Sequence, residues 1–169
     1  FGLEGDQVAE IGINGKMNEL AAAMGLTALE SRETFVARNH DNHAAYDEAL
    51  ANVRGVKLFN ISTLEQRNQQ YIVVEVDERE AGMSRDDLLA ALHAENVLAK
   101  RYFFPGCHRL APYRSEHEAR CISLPNTERL CEKLLQLPTG MAVSQGDIAR
   151  IGAFLRGLLR ERRARLRNV

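Results

Sequence analysis

The sequence predicts an α+β domain in which helices lie on a small sheet, and three observations predict it. An apolar stripe at helical spacing occupies the last quarter of the chain, where Ile148, Ile151, Leu155 and Leu158 are three, four and three residues apart. A β-branched run, Tyr71-Ile72-Val73-Val74-Glu75-Val76, sits between polar flanks near the middle. Helical periods and short apolar runs then alternate to the end of the chain, so neither an all-helical nor an all-strand class fits.

Taken in order, Met17 to Ala28 has apolar residues at Met17, Leu20, Ala21, Met24 and Ala28, the spacing of a helix with one buried stripe. A longer, more polar helix is predicted from Glu30 to Leu50, with Val36, Tyr46 and Leu50 on one face, ending near Gly55 as a C-terminal breaker. His40 and His43 lie a turn apart on it, a spacing that suits surface or interhelical hydrogen bonds. Tyr71 to Val76 reads as a strand buried on both faces in its middle. Ser84-Arg85-Asp86-Asp87 reads as a capping box opening a helix through Glu95, with Leu88, Leu89 and Leu92 inward. Val97 to Phe103 is predicted as a second strand, Pro125 to Leu135 as a short helix, and Leu135 to Pro138 as a third strand. Ser144-Gln145-Gly146-Asp147 caps the last helix.

The 169 residues, 45% of them hydrophobic, are enough for one compact domain or one modest domain plus a linking segment. Lysine and arginine total 22 against 23 acidic residues, which gives no general argument for a nucleic-acid or membrane partner. Charge gathers only at the end, where residues 160–169 hold five arginines and one glutamate. A solvated helix end, favoured by the helix dipole, accounts for that, and a salt-sensitive polyanion contact is the alternative. Three cysteines, Cys107, Cys121 and Cys131, form no Cys-x-x-Cys pair, which suits a reducing cytoplasm. Cys107-His108 with His117 and Cys121 has metal-capable groups but no ligand spacing, so no metal is expected. No apolar run approaches the roughly 20 residues that span a bilayer.

The most informative stretch is Gly12-Ile13-Asn14-Gly15-Lys16-Met17-Asn18-Glu19, running into Leu20-Ala21-Ala22-Ala23-Met24-Gly25-Leu26. A permissive loop carrying an amide and an amine directly before a helix is the layout of an anion site, because the first helical turn leaves N–H groups unpaired. The plainer reading is a polar loop that starts a helix. From Gly12 onward the chain resembles the DegT/DnrJ/EryC1/StrS family of pyridoxal-phosphate aminotransferases acting on nucleotide-linked sugars, whose members show Gly-x-Asn-x-Arg/Lys-Met-x-Glu before an alanine-rich helix. The resemblance continues through Lys100-Arg101-Tyr102-Phe103-Phe104-Pro105-Gly106-Cys107-His108-Arg109-Leu110-Ala111-Pro112-Tyr113, Leu124 to Leu130, Leu135 to Gly140 and Val143 to Ile148, in the family's order.

The resemblance implies the small C-terminal α+β domain and interdomain helices of a fold-type I, aspartate aminotransferase-like enzyme. It divides the chain into interdomain loop and helices at 1–55, the small domain at 56–160 and a basic tail at 161–169. It also implies pyridoxal 5′-phosphate as cofactor, a homodimer, and transfer of an amino group from glutamate to a nucleotide-linked keto-sugar. The cofactor lysine of the family precedes the glycine-asparagine motif, so it is expected upstream of Phe1. Lys16, Lys57, Lys100 and Lys133 do not stand in its context, and no catalytic residue is expected in this chain. Family members with histidine in place of that lysine run dehydration instead. By resemblance Asn14 matches the asparagine reaching the cofactor phosphate of the partner subunit, and Lys16 a position contacting phosphate or substrate. There lysine supplies a point charge where arginine would supply a fork. Tyr102, His108 and Tyr113 match positions near the sugar. Packing tyrosines and a loop-tying histidine are the alternatives for these three. A non-catalytic module that self-associates or binds a ligand is the alternative for the whole.

Overall fold

The computed structural model describes residues 3–4, 7–8, 15–59, 67–111, 113–115 and 123–166. The chain divides into two compact units, Phe1–Thr34 and Phe35–Val169.

In the first unit, β1 (Leu3–Glu4) and β2 (Gln7–Val8) pair antiparallel, with Leu3 opposite Val8. Helix α1 (Glu19–Glu30) starts at Asn18, whose Oδ1 accepts the Ala21 N–H at 2.8 Å. Glu19 stands in its first turn, where a carboxylate complements the dipole. The helix forms where the periodicity predicts, but the stripe is not buried as expected. No residue of α1 is buried, with Leu20 73% and Met24 68% exposed. Cap and alanine-rich propensity supply the local structure, and among the described residues no side chain covers the apolar face.

After a break at Ser31, α2 runs Arg32–Leu50. Within the second unit its buried residues are Asn42, Tyr46 and Leu50, four apart, and Val36 is half-buried. The elements after it are β3 (Val56–Leu58), β4 (Ile72–Val76), α3 (Glu78–Ala81), α4 (Arg85–Ala94), β5 (Lys100–Arg101), α5 (Pro125–Lys133), β6 (Leu134–Leu137) and α6 (Gln145–Leu166). The strands form an antiparallel sheet in the order β3-β4-β6-β5, with Lys57 opposite Glu75, Val74 opposite Leu135, and Arg101 also opposite Leu135. The core joins Ile72, Val74, Val76, Leu135 and Leu137 of the sheet to Tyr46, Leu88, Leu92, Ile148, Leu155 and Leu159 of the helices.

Several expectations shift. β4 buries Ile72, Val74 and Val76 on one face, while Val73 and Glu75 on the other are half-buried rather than buried. Glu75 on that second face lies 3.6 Å from Arg129 and 3.7 Å from Lys133 of α5, so ion pairs stand where an apolar layer was predicted. The strand predicted over 97–103 shrinks to Lys100–Arg101, because Asn96 and Phe103 take positive φ and bend the chain off the sheet at both ends. Leu159 replaces Leu158 as the last fully buried residue of the α6 stripe. Gly55 lies beyond the end of α2 and serves another purpose: at φ +86° its backbone passes so close to α3 that a Cβ would fall 2.3 Å from the Ala81 nitrogen. The second capping box forms in full, with Ser144 and Asp147 exchanging side-chain-to-backbone bonds at 3.1 Å each, whereas the first forms by half: Ser84 Oγ accepts the Asp87 N–H at 3.1 Å and donates to Asp87 Oδ2 at 2.8 Å.

Candidate functional site

The segment after β5 carries the candidate substrate residues and bends twice through the left-handed region, at Phe103 (φ 50°) and Gly106 (φ 95°). A Cβ on Gly106 would lie 2.8 Å from the His108 ring and 3.2 Å from Cys131 Sγ, so the close approach requires glycine. The Phe104–Pro105 peptide is cis. Tyr102 is half-buried, its ring edge-on to Tyr71 and Phe103 with centroids 6.0 and 4.5 Å away. Its N–H donates to the Leu134 carbonyl of β6 at 3.5 Å, and the Cys131 thiol donates to the Phe103 carbonyl at 3.4 Å.

A single 3₁₀ turn, Cys107–Arg109, then presents His108 toward α5. His108 Nε2 lies 3.9 Å from Glu128 Oε1, with the histidine side chain 8% exposed, and Arg109 Nη2 lies 3.2 Å from Glu128 Oε2. Tyr113 follows, with its N–H on the Leu110 carbonyl at 2.9 Å and its side chain exposed. Residues 100–115 contain four cationic side chains, Lys100, Arg101, Arg109 and Arg114, and no carboxylate. Arg109 is paired with Glu128 and Arg101 with Asp86, so Lys100 and Arg114 carry the segment's remaining positive charge, which beside the aromatic rings suits an anionic ligand that offers a ring to stack on.

Beneath the segment lies a group that sequence reasoning missed. Arg85, 5% exposed, donates from Nη1 to the Cys131 and Leu134 carbonyls at 2.9 Å each, and from Nε to Asp86 Oδ1 at 2.7 Å. Arg101 Nε reaches the same Asp86 oxygen at 2.8 Å. Both guanidinium carbons sit over the Phe104 ring, 5.2 and 4.9 Å from its centroid. Partial desolvation pushes the Asp86 carboxyl up, but the hydrogen bonds from Arg101 and Arg85 together outweigh it and hold Asp86 below the usual carboxylate range. An arginine between a cap serine and two aspartates reads as surface charge, so nothing in the sequence flagged its burial.

The structure thus places Tyr102, His108 and Tyr113 on one segment of the second unit. Lys16 is exposed in the loop before α1, in the first unit. Asn14 and Gly12 lie outside the described residues, as do His117 and Cys121. The described residues do not make a pyridoxal-phosphate cradle by themselves: Lys16, Lys57 and Lys100 are exposed and Lys133 is paired with Glu75. A separate cleft of about 430 Å³, lined by Val97, Leu98, Val143, Ile151 and Phe154 among others, contains none of the candidate side chains. No helix among the described residues is long and apolar enough to cross a membrane.

Comparison with known proteins bears directly on this segment. The model of the DegT/DnrJ/EryC1/StrS aminotransferase family matches residues 2–156. The dTDP-4-amino-4,6-dideoxy-D-glucose transaminase of Escherichia coli is 30% identical over 148 residues, 86% of this chain and 39% of that protein. The UDP-4-amino-4-deoxy-L-arabinose–oxoglutarate aminotransferase of Shewanella sediminis is 26% identical over 88% of this chain and 39% of its own length. Among solved structures, DesI in the presence of its TDP-sugar product is 44% identical, with a TM-score of 0.81 over 93% of this chain and 40% of that one. The chain therefore spans about two fifths of the length of these relatives.

Proposed function

Because this chain belongs to the DegT/DnrJ/EryC1/StrS aminotransferase family, we propose that it is the C-terminal part of a pyridoxal-phosphate-dependent, homodimeric, cytoplasmic enzyme that moves an amino group from glutamate to a keto-sugar carried on a thymidine diphosphate. The observation that carries this reading is the 44% identity, over 93% of the chain, to a protein whose structure was determined with a TDP-sugar product. The segment 100–115 supports it, since a sugar nucleotide offers a pyrophosphate to Lys100 and Arg114, the cations not paired with Asp86 or Glu128, and rings to the tyrosines. In this reading Tyr102, His108 and Tyr113 lie near the sugar, Asn14 reaches the cofactor phosphate of the partner subunit, and Lys16 contacts phosphate or substrate. The cofactor, when bound, supplies the electron sink for the amino transfer, and the Schiff-base lysine comes from sequence outside this chain.

The test uses the full-length protein with glutamate and a dTDP-4-keto-6-deoxyhexose, reading the amino-sugar product by mass and 2-oxoglutarate by a coupled assay. Product with wild type, and weakened cofactor retention in Asn14→Ala, is the expected result. A full-length protein that binds no cofactor and forms no amino sugar sinks the proposal. The exposed face of α1 then favours the second reading, a non-catalytic self-associating module.

A further inference from the structure

We propose that the buried Arg85, acting through Asp86 and Phe104, is the positioning residue that sets the sugar-nucleotide-facing segment 101–109 in its working conformation. This rests on the reading of that segment given above. Phe103 is a bulky residue held at φ 50°, and such backbone persists only where surrounding contacts over-determine it. The contacts that do so converge on one guanidinium. Two of the hydrogen bonds of Arg85 fix it to the junction of α5 and β6, at the Cys131 and Leu134 carbonyls. The third fixes Asp86, which in turn holds Arg101, the residue immediately before Tyr102. The guanidinium carbon sits over the ring of Phe104, immediately after Phe103, 5.2 Å from its centroid. The two ends of the strained step are thus tied to one rigid junction, and the Cys131 thiol ties the Phe103 carbonyl between them.

A contribution to stability alone would not account for this arrangement. Burying a guanidinium carries a desolvation cost that a well-packed apolar side chain of similar volume avoids, so burial of a charge here is weak evidence for stability. What an apolar residue cannot do is fix Asp86 and the Phe104 ring in one geometry, because that needs the planar fork with donors on two edges. Lysine at this position keeps the charge and loses the fork.

The test uses Arg85→Met, Arg85→Lys and Phe104→Leu in the full-length protein, with the glutamate and nucleotide-sugar half-reactions measured separately. Expected is a loss of about ten- to a hundredfold in kcat/KM for the nucleotide sugar, the scale of a misplaced binding group. The glutamate half-reaction is expected to hold within about twofold. Arg85→Lys is expected to fall with Arg85→Met rather than with wild type. Equal losses in both half-reactions mean general structural damage, and no loss means no positioning role; either overturns the inference. If Arg85→Met does not fold, Phe104→Leu, which leaves the three Arg85 hydrogen bonds in place, decides on the same criterion. A parent protein with no transaminase activity refutes the functional reading instead, and the tether is then judged by native-state trypsin cleavage after the exposed Arg109 and Arg114. Faster cleavage in the variants upholds it, and unchanged cleavage overturns it.

Discussion

Replacing Tyr46 by phenylalanine isolates one hydrogen bond on which the loop between β6 and α6 depends. Tyr46 is fully buried, and its hydroxyl donates to the Pro138 carbonyl at 2.8 Å. One helical turn earlier, Asn42, also fully buried, donates from Nδ2 to Gly140 O at 3.1 Å and Thr139 Oγ1 at 3.3 Å. Tyr46→Phe keeps the ring and its packing, so the loss is the bond itself plus the partial desolvation of a carbonyl left without it. Pro138 is only half-buried, so water relieves part of that penalty, and the expected cost is about 1–2 kcal/mol. Asn42→Ala removes two bonds and leaves a small void, but it also removes Oδ1, a buried acceptor with no partner among the described residues. The relief offsets part of the loss, so Asn42→Ala is also expected near 1–2 kcal/mol rather than the sum of its two bonds.

Tyr46 holds Pro138 and Asn42 holds the next two residues, Thr139 and Gly140, so the two effects are coupled through one short loop: once one contact is gone the loop is looser and the other is worth less. The double variant should be less destabilised than the sum by at least about 0.5 kcal/mol. Urea denaturation of the four proteins, compared at constant m-value, measures this. Strict additivity, or a neutral Tyr46→Phe, would refute the claim that α2 fixes the loop. The pH dependence gives an independent check. Burial pushes the Tyr46 hydroxyl well above its ordinary value, with Asp147 adding to the rise. Above pH ~10 the unfolded chain releases this proton while the folded one keeps it. The Tyr46 contribution is therefore fully present below that pH and falls as pH rises through the folded pKa, and Tyr46→Phe should remove that alkaline slope.

Three further outcomes are expected within α6. A Cβ at Gly152 would lie 2.8 Å from Ala49 Cβ and 2.9 Å from the Ala49 carbonyl oxygen, so Gly152→Ala should destabilise by roughly 1–2 kcal/mol against a helix-propensity gain of about 1. Gly157 has nothing within 4 Å of its Cβ position, so Gly157→Ala should stabilise by about 0.5–1 kcal/mol, and thermal melts of the pair would expose an error in either sign. The Asp147 carboxyl is held below its ordinary range chiefly by the Ser144 hydroxyl, then by the Ser144 N–H and Arg150. With a folded pKa below the unfolded one, the cap contributes above the unfolded value near pH ~4 and is lost as pH falls through the folded pKa. An NMR titration of Ser144→Ala should move the Asp147 midpoint upward, and an unmoved midpoint would mean that the hydroxyl is not its main partner.

Legibility in the sequence followed locality. The Ser84 and Ser144 caps, the Leu88 and Leu92 face and the Ile148-to-Leu155 stripe are each written within a few residues, and each formed. β3 was not foreseen because three residues, Val56-Lys57-Leu58, carry too little alternation to stand out, and only pairing with β4 makes them a strand. The anchoring of Asn42 and Tyr46 on residues 138–140 spans more than ninety positions and leaves no local trace. At the candidate site, family motifs singled out Tyr102, His108 and Tyr113, and the structure adds what no motif states, a His108 side chain buried beside Glu128 and an exposed Tyr113. The burial of Arg85 was not legible, because what buries it is the α5–β6 junction, some fifty residues away.

The stripe of α1 marks the limit of periodicity as evidence. Met17, Leu20, Ala21, Met24 and Ala28 satisfy the helical pattern, yet Leu20 and Met24 are mostly exposed and α1 buries nothing. An apolar period states that a face meets something apolar, and it is silent on whether that surface belongs to the same chain. A 12-residue helix draws little stability from propensity alone, so an amphipathic one of this length depends on a covering surface. Phe35–Val169 brings its own core of sheet and helices. In the reading proposed above, the cover for α1 comes from the rest of the enzyme, since the chain spans only about two fifths of its relatives. The distinction is measurable: charging the stripe with Leu20→Lys and Met24→Glu should leave urea unfolding of the Phe35–Val169 core unchanged while disrupting assembly of the full-length protein. If both variants assemble normally, the face is an exposed helix surface and the proposed cover does not exist.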